Sequence, residues 1–156
     1  MHSFEVRGGK KLSGEIIPQG AKNEALQIIS AVLLTPEKVT ISNIPDILDV
    51  NLLIELLEEM NVKIERPDRH TCIFQADNVN IDYLHSEDYK KKSGKLRGSV
   101  MLAGPMLSRF RKAFIPKPGG DKIGRRRLDT HIIGFEKLGA AFNYHPEDGF
   151  FHLESP

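Results

Sequence analysis

Apolar positions along the chain alternate between two spacings, every second residue and every third or fourth, in an order that recurs. Residues 13–19 read as a strand and 23–34 as a helix, with Ala25, Leu26, Ile29, Val32 and Leu33 on one face. A strand is predicted at 38–42 between Thr35-Pro36 and Ile44-Pro45, both of which interrupt regular structure. Val50, Leu53, Ile54, Leu57 and Met60 then keep helical spacing over 50–60, and Asn61 is the expected C-terminal stop. Residues 62–66 and 71–75 form a predicted hairpin around Pro67-Asp68-Arg69-His70.

The same order returns. A strand is predicted at 79–83, a helix at 95–109 kinked near Pro105, and a strand at 112–116. A helix at 128–138 ended by Gly139 follows, then a hairpin of 141–144 with 150–153. At an offset of 78 residues, Val50/Leu128, Ile54/Ile132, Leu57/Phe135, Met60/Leu138 and Ile64/Phe142 pair as apolar positions. The fold class is therefore α/β (α+β), built from two copies of a βαβαββ unit. One such unit cannot bury both faces of its helices, so the copies are expected to stack on a shared core. The chain stops where the second copy ends, and an incomplete fold is expected.

Composition narrows the class. The chain has 156 residues, 40% apolar and 28% charged, which excludes disorder and collagen-like repeats. The single cysteine, Cys72, excludes an internal disulfide and suits a reducing compartment; its apolar strand position predicts a buried, inert thiol. No apolar run reaches membrane-span length and MHSFEVRGGKK is no signal peptide, so a soluble cytoplasmic protein without membrane partners is expected. The net charge of +1 hides a segregation: between His85 and Arg127 thirteen Lys and Arg face three acids, a local balance of +10. Such a block calls for an anionic partner or forms a solvated charged face.

Two segments carry candidate chemistry. Gln19-Gly20-Ala21-Lys22-Asn23 lies between a predicted strand and helix, where it is either a plain helix start or an anion site made of helix N–H groups, the Lys22 charge and the Asn23 amide. The loop 118–127 holds three glycines and four cations, and places Arg125, Arg126 and Arg127 just before a helix, where cations oppose the helix dipole unless an anion sits among them. Asp121 within it reads as acid, base or internal salt-bridge partner. Arg97 is a further basic candidate, or simply an exposed helical arginine. The six histidines form no HxH or HExxH pair, so no metal site is expected.

Gly20-Ala21-Lys22-Asn23, together with Pro118-Gly119-Gly120-Asp121-Lys122-Ile123-Gly124 and Arg126…Asp129-Thr130-His131, resembles the enolpyruvyl transferases that act on UDP-N-acetylglucosamine. The resemblance runs in register from Met1 over the whole chain. It implies six βαβαββ units in two lobes, the inside-out α/β barrel type, with substrates in the cleft and no cofactor. On it, 1–20 is a strand region that packs with the other lobe, 21–77 the first unit, and 78–156 the second unit with a catalytic loop at 118–127. The implied substrates are phosphoenolpyruvate and UDP-N-acetylglucosamine, in the first committed step of peptidoglycan precursor synthesis, which links the protein to cell wall biogenesis, cell shape and division.

Residue by residue, the resemblance implies that Lys22, Asn23, Arg97, Arg126, Arg127, Leu128, Asp129 and Thr130 bind substrate and that Asp121 is the proton donor. That position is cysteine in most members, so fosfomycin resistance is also implied. Arg125 and Arg127 depart from the family's usual small residue and proline. The remaining lobe is the expected partner, 1–156 alone is expected to be inactive, and Phe4, Val6, Ile16 and Ile17 are expected to lack partners and invite self-association. The loop is expected to be rearranged without ligand. The competing readings are a nucleic-acid-binding repeat domain that uses 85–127, and an inert structural lobe.

Overall fold

The computed structural model describes residues 3–116, 127–147 and 149–156. Helix α1 (Lys22–Ala31) runs into a 3-10 turn (Val32–Leu34), and β1 (Lys38–Ile41) and α2 (Leu48–Glu59) follow. The hairpin β2 (Lys63–Asp68) and β3 (Thr71–Gln75) completes the first unit. Its sheet has the order β1-β3-β2 and is antiparallel throughout, with Val39 opposite Phe74 and Ile64 opposite Phe74 from the other side. The second unit repeats this plan. A 3-10 turn (Arg97–Leu102) leads into α4 (Ala103–Phe110), β4 (Lys112–Pro116), α5 (Asp129–Lys137) and the hairpin β5 (Ala141–His145) and β6 (Phe150–Glu154), in a sheet ordered β4-β6-β5.

The repeat extends to its caps. Asn61 and Gly139, 78 positions apart, both take positive φ (65° and 96°) just past α2 and α5. In each case the following N–H reaches back into the last turn: Val62 to the Leu57 carbonyl at 3.0 Å, Ala140 to the Phe135 carbonyl at 2.9 Å. This is the wrap that satisfies helix-end carbonyls and turns the chain into a hairpin.

The two units share one core. Ile29 from α1, Leu33 from the 3-10 turn after it, Leu53, Ile54 and Leu57 from α2, Phe74, Leu96, Val100, Leu102, Met106, Ile115 and Leu153 are all buried in it. Between the units lies α3 (Glu87–Ser93), a helix the apolar spacing does not predict. Its sequence EDYKKKS carries one large apolar residue, Tyr89, which is buried and donates its hydroxyl to the Phe114 carbonyl at 3.0 Å. Ser86 caps the helix by accepting from the Tyr89 N–H, and Lys92 ties it to α2 through Glu55 and Glu59, both at 3.0 Å.

Three expectations need correction. Residues 13–19 form no strand and are exposed, Ile16 at 91%, as are Phe4, Val6 and Leu12. Among the described residues no strand lies beside them, and an extended segment gains nothing from a ladder it cannot pair. The segment 79–83 is likewise no strand; the Asn80 N–H bonds the Met60 carbonyl and a 3-10 turn (Asp82–His85) begins. Among the described residues each unit thus contributes three strands. The single helix expected at 95–109 is a 3-10 turn followed by α4, with Pro105 in the first turn of α4, where a missing N–H costs nothing.

Candidate active site

The site grows from the start of α1. Gly20 sits so close to the loop after β1 that a side-chain carbon there would fall on the Asn43 carbonyl oxygen. Asn43 itself takes φ 57°, a conformation asparagine tolerates. This close approach fixes where the chain turns into α1. Helix α1 begins after Ala21, which offers no side-chain cap, so the first-turn N–H groups are left for an acceptor from outside. Lys22 and Asn23 stand at that end, both exposed.

Opposite them, the turn Arg97–Leu102 packs onto α1. Gly98 allows it: a side-chain carbon at that position would lie 2.8 Å from the Leu26 methyl. Arg97, half-buried, is thereby placed beside Lys22 and Asn23. Leu128, 8% exposed, comes up from the residue before α5. Together Lys22, Asn23, Gln27, Asp49, Arg97 and Leu128 line a cavity of about 280 Å3, floored by Leu26, Val100 and Met101 and flanked by His131.

The structure therefore brings together four of the residues the sequence singled out, Lys22, Asn23, Arg97 and Leu128. Asp129 and Thr130 lie exposed in the first turn of α5, directly after Leu128. The Asp129 carboxylate accepts from Arg127 at 3.4 Å. Asp121, Arg125 and Arg126, with the rest of 117–126 and the expected rearrangement of the loop, lie outside the described residues.

Asp49 is the residue that sequence reasoning missed. Its carboxylate accepts from the Lys22 ammonium at 3.0 Å, across 27 positions, in a pair whose side chains are 48% and 41% exposed. The loop before α2 is braced by Asp46, which accepts from Asn51 at 2.8 Å and Arg69 at 2.6 Å. Those bonds, the Asn51 amide's first, hold the Asp46 carboxyl below its ordinary range. A larger, open concavity of about 670 Å3 lies elsewhere, along Glu58, Asn61, Asn78 and Asp82, and contains none of the predicted residues.

Much of the described basic block is already engaged. Lys92 meets Glu55, Glu59 and Asp88, Lys90 lies over the Phe150 ring at 5.5 Å, and Arg109 donates to the Leu33 carbonyl at 3.0 Å. These three cations of the described residues are thus held by groups of the protein itself. No helix among the described residues is long and apolar enough to cross a membrane.

Two repeated units, each with an antiparallel three-stranded sheet, thus meet at a cavity that carries Lys22 and Arg97 beside the N-terminus of α1. The enolpyruvyl transferase NikO of Streptomyces tendae superposes with a TM-score of 0.72 over 95% of this chain and 31% of its own, at 22% identity. The EPSP synthase (3-phosphoshikimate 1-carboxyvinyltransferase) family model matches residues 6–155, and the chain belongs to that family. Among curated relatives, the UDP-N-acetylglucosamine 1-carboxyvinyltransferase of Porphyromonas gingivalis is 63% identical over 98% of this chain and 35% of its own. The enzyme of that name from Bacteroides thetaiotaomicron is 59% identical over the same shares, and that from Bradyrhizobium diazoefficiens 44% over 88% and 31%. The chain thus spans about a third of the length of the curated relatives it matches.

Proposed function

We propose that the protein carrying this chain transfers the enolpyruvyl group of phosphoenolpyruvate to the 3-hydroxyl of UDP-N-acetylglucosamine and releases phosphate, in the first committed step of peptidoglycan precursor synthesis. The observation that supports this best is the convergence of Lys22, Asn23, Arg97 and Leu128, drawn from both units, on one cavity. The names of the relatives point the same way.

The cavity offers what the reaction needs from this side. Phosphoenolpyruvate carries a phosphate and a carboxylate, and the uncapped end of α1 with Lys22 and Arg97 supplies N–H donors and two positive charges. In the addition step the sugar hydroxyl gives its proton to a base as its oxygen attacks C2 and a proton arrives at C3; in the elimination step C3 returns that proton and the C2–O bond to phosphate breaks. The cations stabilise the anionic groups throughout, by position rather than by covalent chemistry. Asn23 contacts the sugar nucleotide, Arg127, Leu128, Asp129 and Thr130 line it with Arg126, Arg126 closes onto phosphate, and Asp121 delivers the proton as the loop 118–127 covers the site. The units 21–77 and 78–156 work with a second lobe against which 1–20 packs, so 1–156 by itself makes no product.

Asp121 provides the test. A carboxylate is a poor soft nucleophile beside a thiolate, so the complete protein resists the epoxide fosfomycin. Asp121→Cys retains activity and becomes fosfomycin-sensitive, while Asp121→Ala loses about 100-fold or more in kcat, the scale of a general acid. Full activity in the alanine variant, or an active and still resistant cysteine variant, overturns the assignment.

A further inference from the structure

We infer that Asp49 is a positioning residue for Lys22: it holds the ammonium in the cavity so that an entering phosphate meets an ordered donor. The inference rests on the phosphate-binding reading of the cavity above. Both side chains stem from the first turns of neighbouring helices, Lys22 at the first position of α1 and Asp49 at the second of α2. The carboxylate is itself placed firmly. Its helix starts from a loop braced by Asp46 through Asn51 and Arg69, and α2 packs on α1 through buried Val50, Leu53, Ile54 and Leu57.

Lys22 has no such support, since it is half exposed on a long flexible stem. The single contact at 3.0 Å uses one of its three N–H donors and leaves two for a ligand. An ammonium held this way has less rotational freedom to lose when an anion binds. Asp49 also lines the cavity, so it can act on ligand affinity without touching the atoms that react.

The role is separable from two others. A purely structural Asp49 affects stability and not affinity, and a competing counterion raises affinity when removed. In the complete protein, Asp49→Asn is expected to raise the KM for phosphoenolpyruvate about fivefold with kcat within about twofold, the scale of a half-exposed ion pair acting on ground and transition states alike. The Kd for inorganic phosphate, measured by calorimetry, rises by the same factor, and Asp49→Glu restores most of both. In a Lys22→Ala background Asp49→Asn adds no further weakening of phosphate binding, because the two act as a unit. Unchanged or lowered KM and Kd in Asp49→Asn, or an equal loss in the Lys22→Ala background, overturns the inference. A wild-type protein that forms no product defeats the transferase reading instead, and the phosphate Kd still decides the role of Asp49.

Discussion

Gly20 shows how much one missing side chain controls. The space a methyl group needs is occupied by the Asn43 carbonyl oxygen, which is backbone and cannot swing aside. Gly20→Ala therefore separates the entry of α1 from the loop after β1 and shifts Lys22 away from Asp49. It is expected to cost about 3 kcal/mol, at the upper end for overpacking, in urea unfolding monitored by circular dichroism. At this scale the sequence was informative where a residue's chemistry is local. Lys22, Asn23 and Arg97 are candidates from motif and charge, and the family resemblance singles them out. Asp49 does not, because its meaning depends on a contact 27 positions away that only the packing of α1 on α2 creates.

At the scale of elements, legibility follows the number of apolar positions. Helices α1, α2 and α5 carry clear stripes, and the stops at Asn61 and Gly139 were readable because both residue types accept left-handed backbone. Helix α3 was hidden by its charge run. It is held by a buried ring and ion pairs, which leave no periodic signal. The turn 97–102 was read as α-helix since its apolar residues fit either winding. Tyr89 is the anchor of α3 and so links the junction between units to β4, the strand that precedes the 118–127 loop. Tyr89→Phe removes its hydroxyl from the buried Phe114 carbonyl and is expected to lower unfolding free energy by about 1–2 kcal/mol in the same urea assay, with the ring packing on Phe150 retained.

Over the whole molecule, acidic side chains form the clamps between elements. Asp46 is held low chiefly by the Asn51 amide, Asp68 by the His70 N–H, Asp77 by Lys63 and Asp88 by the Tyr83 hydroxyl. Each has a folded pKa below its ordinary value of 3.8, so the stability it adds is complete well above that value and is lost as pH falls through the lowered one. Urea midpoints are expected to be flat down to about pH 5 and to fall progressively below about pH 4, and Asp88→Asn to make that fall shallower. An equally steep acid limb in the variant contradicts this role for Asp88.

In both sheets the central strand is the last one in the chain: β3 lies between β1 and β2, and β6 between β4 and β5. The first two strands of each sheet never touch one another. As a nascent chain emerges from a ribosome, 38–41 and 63–68 therefore have no ladder to join until 71–75 follows, and the same wait recurs at 150–154. Each sheet is assembled in one closing event at its own end, so synthesis passes through two intervals in which half-made units carry unpaired strand edges, when chaperones find their substrate.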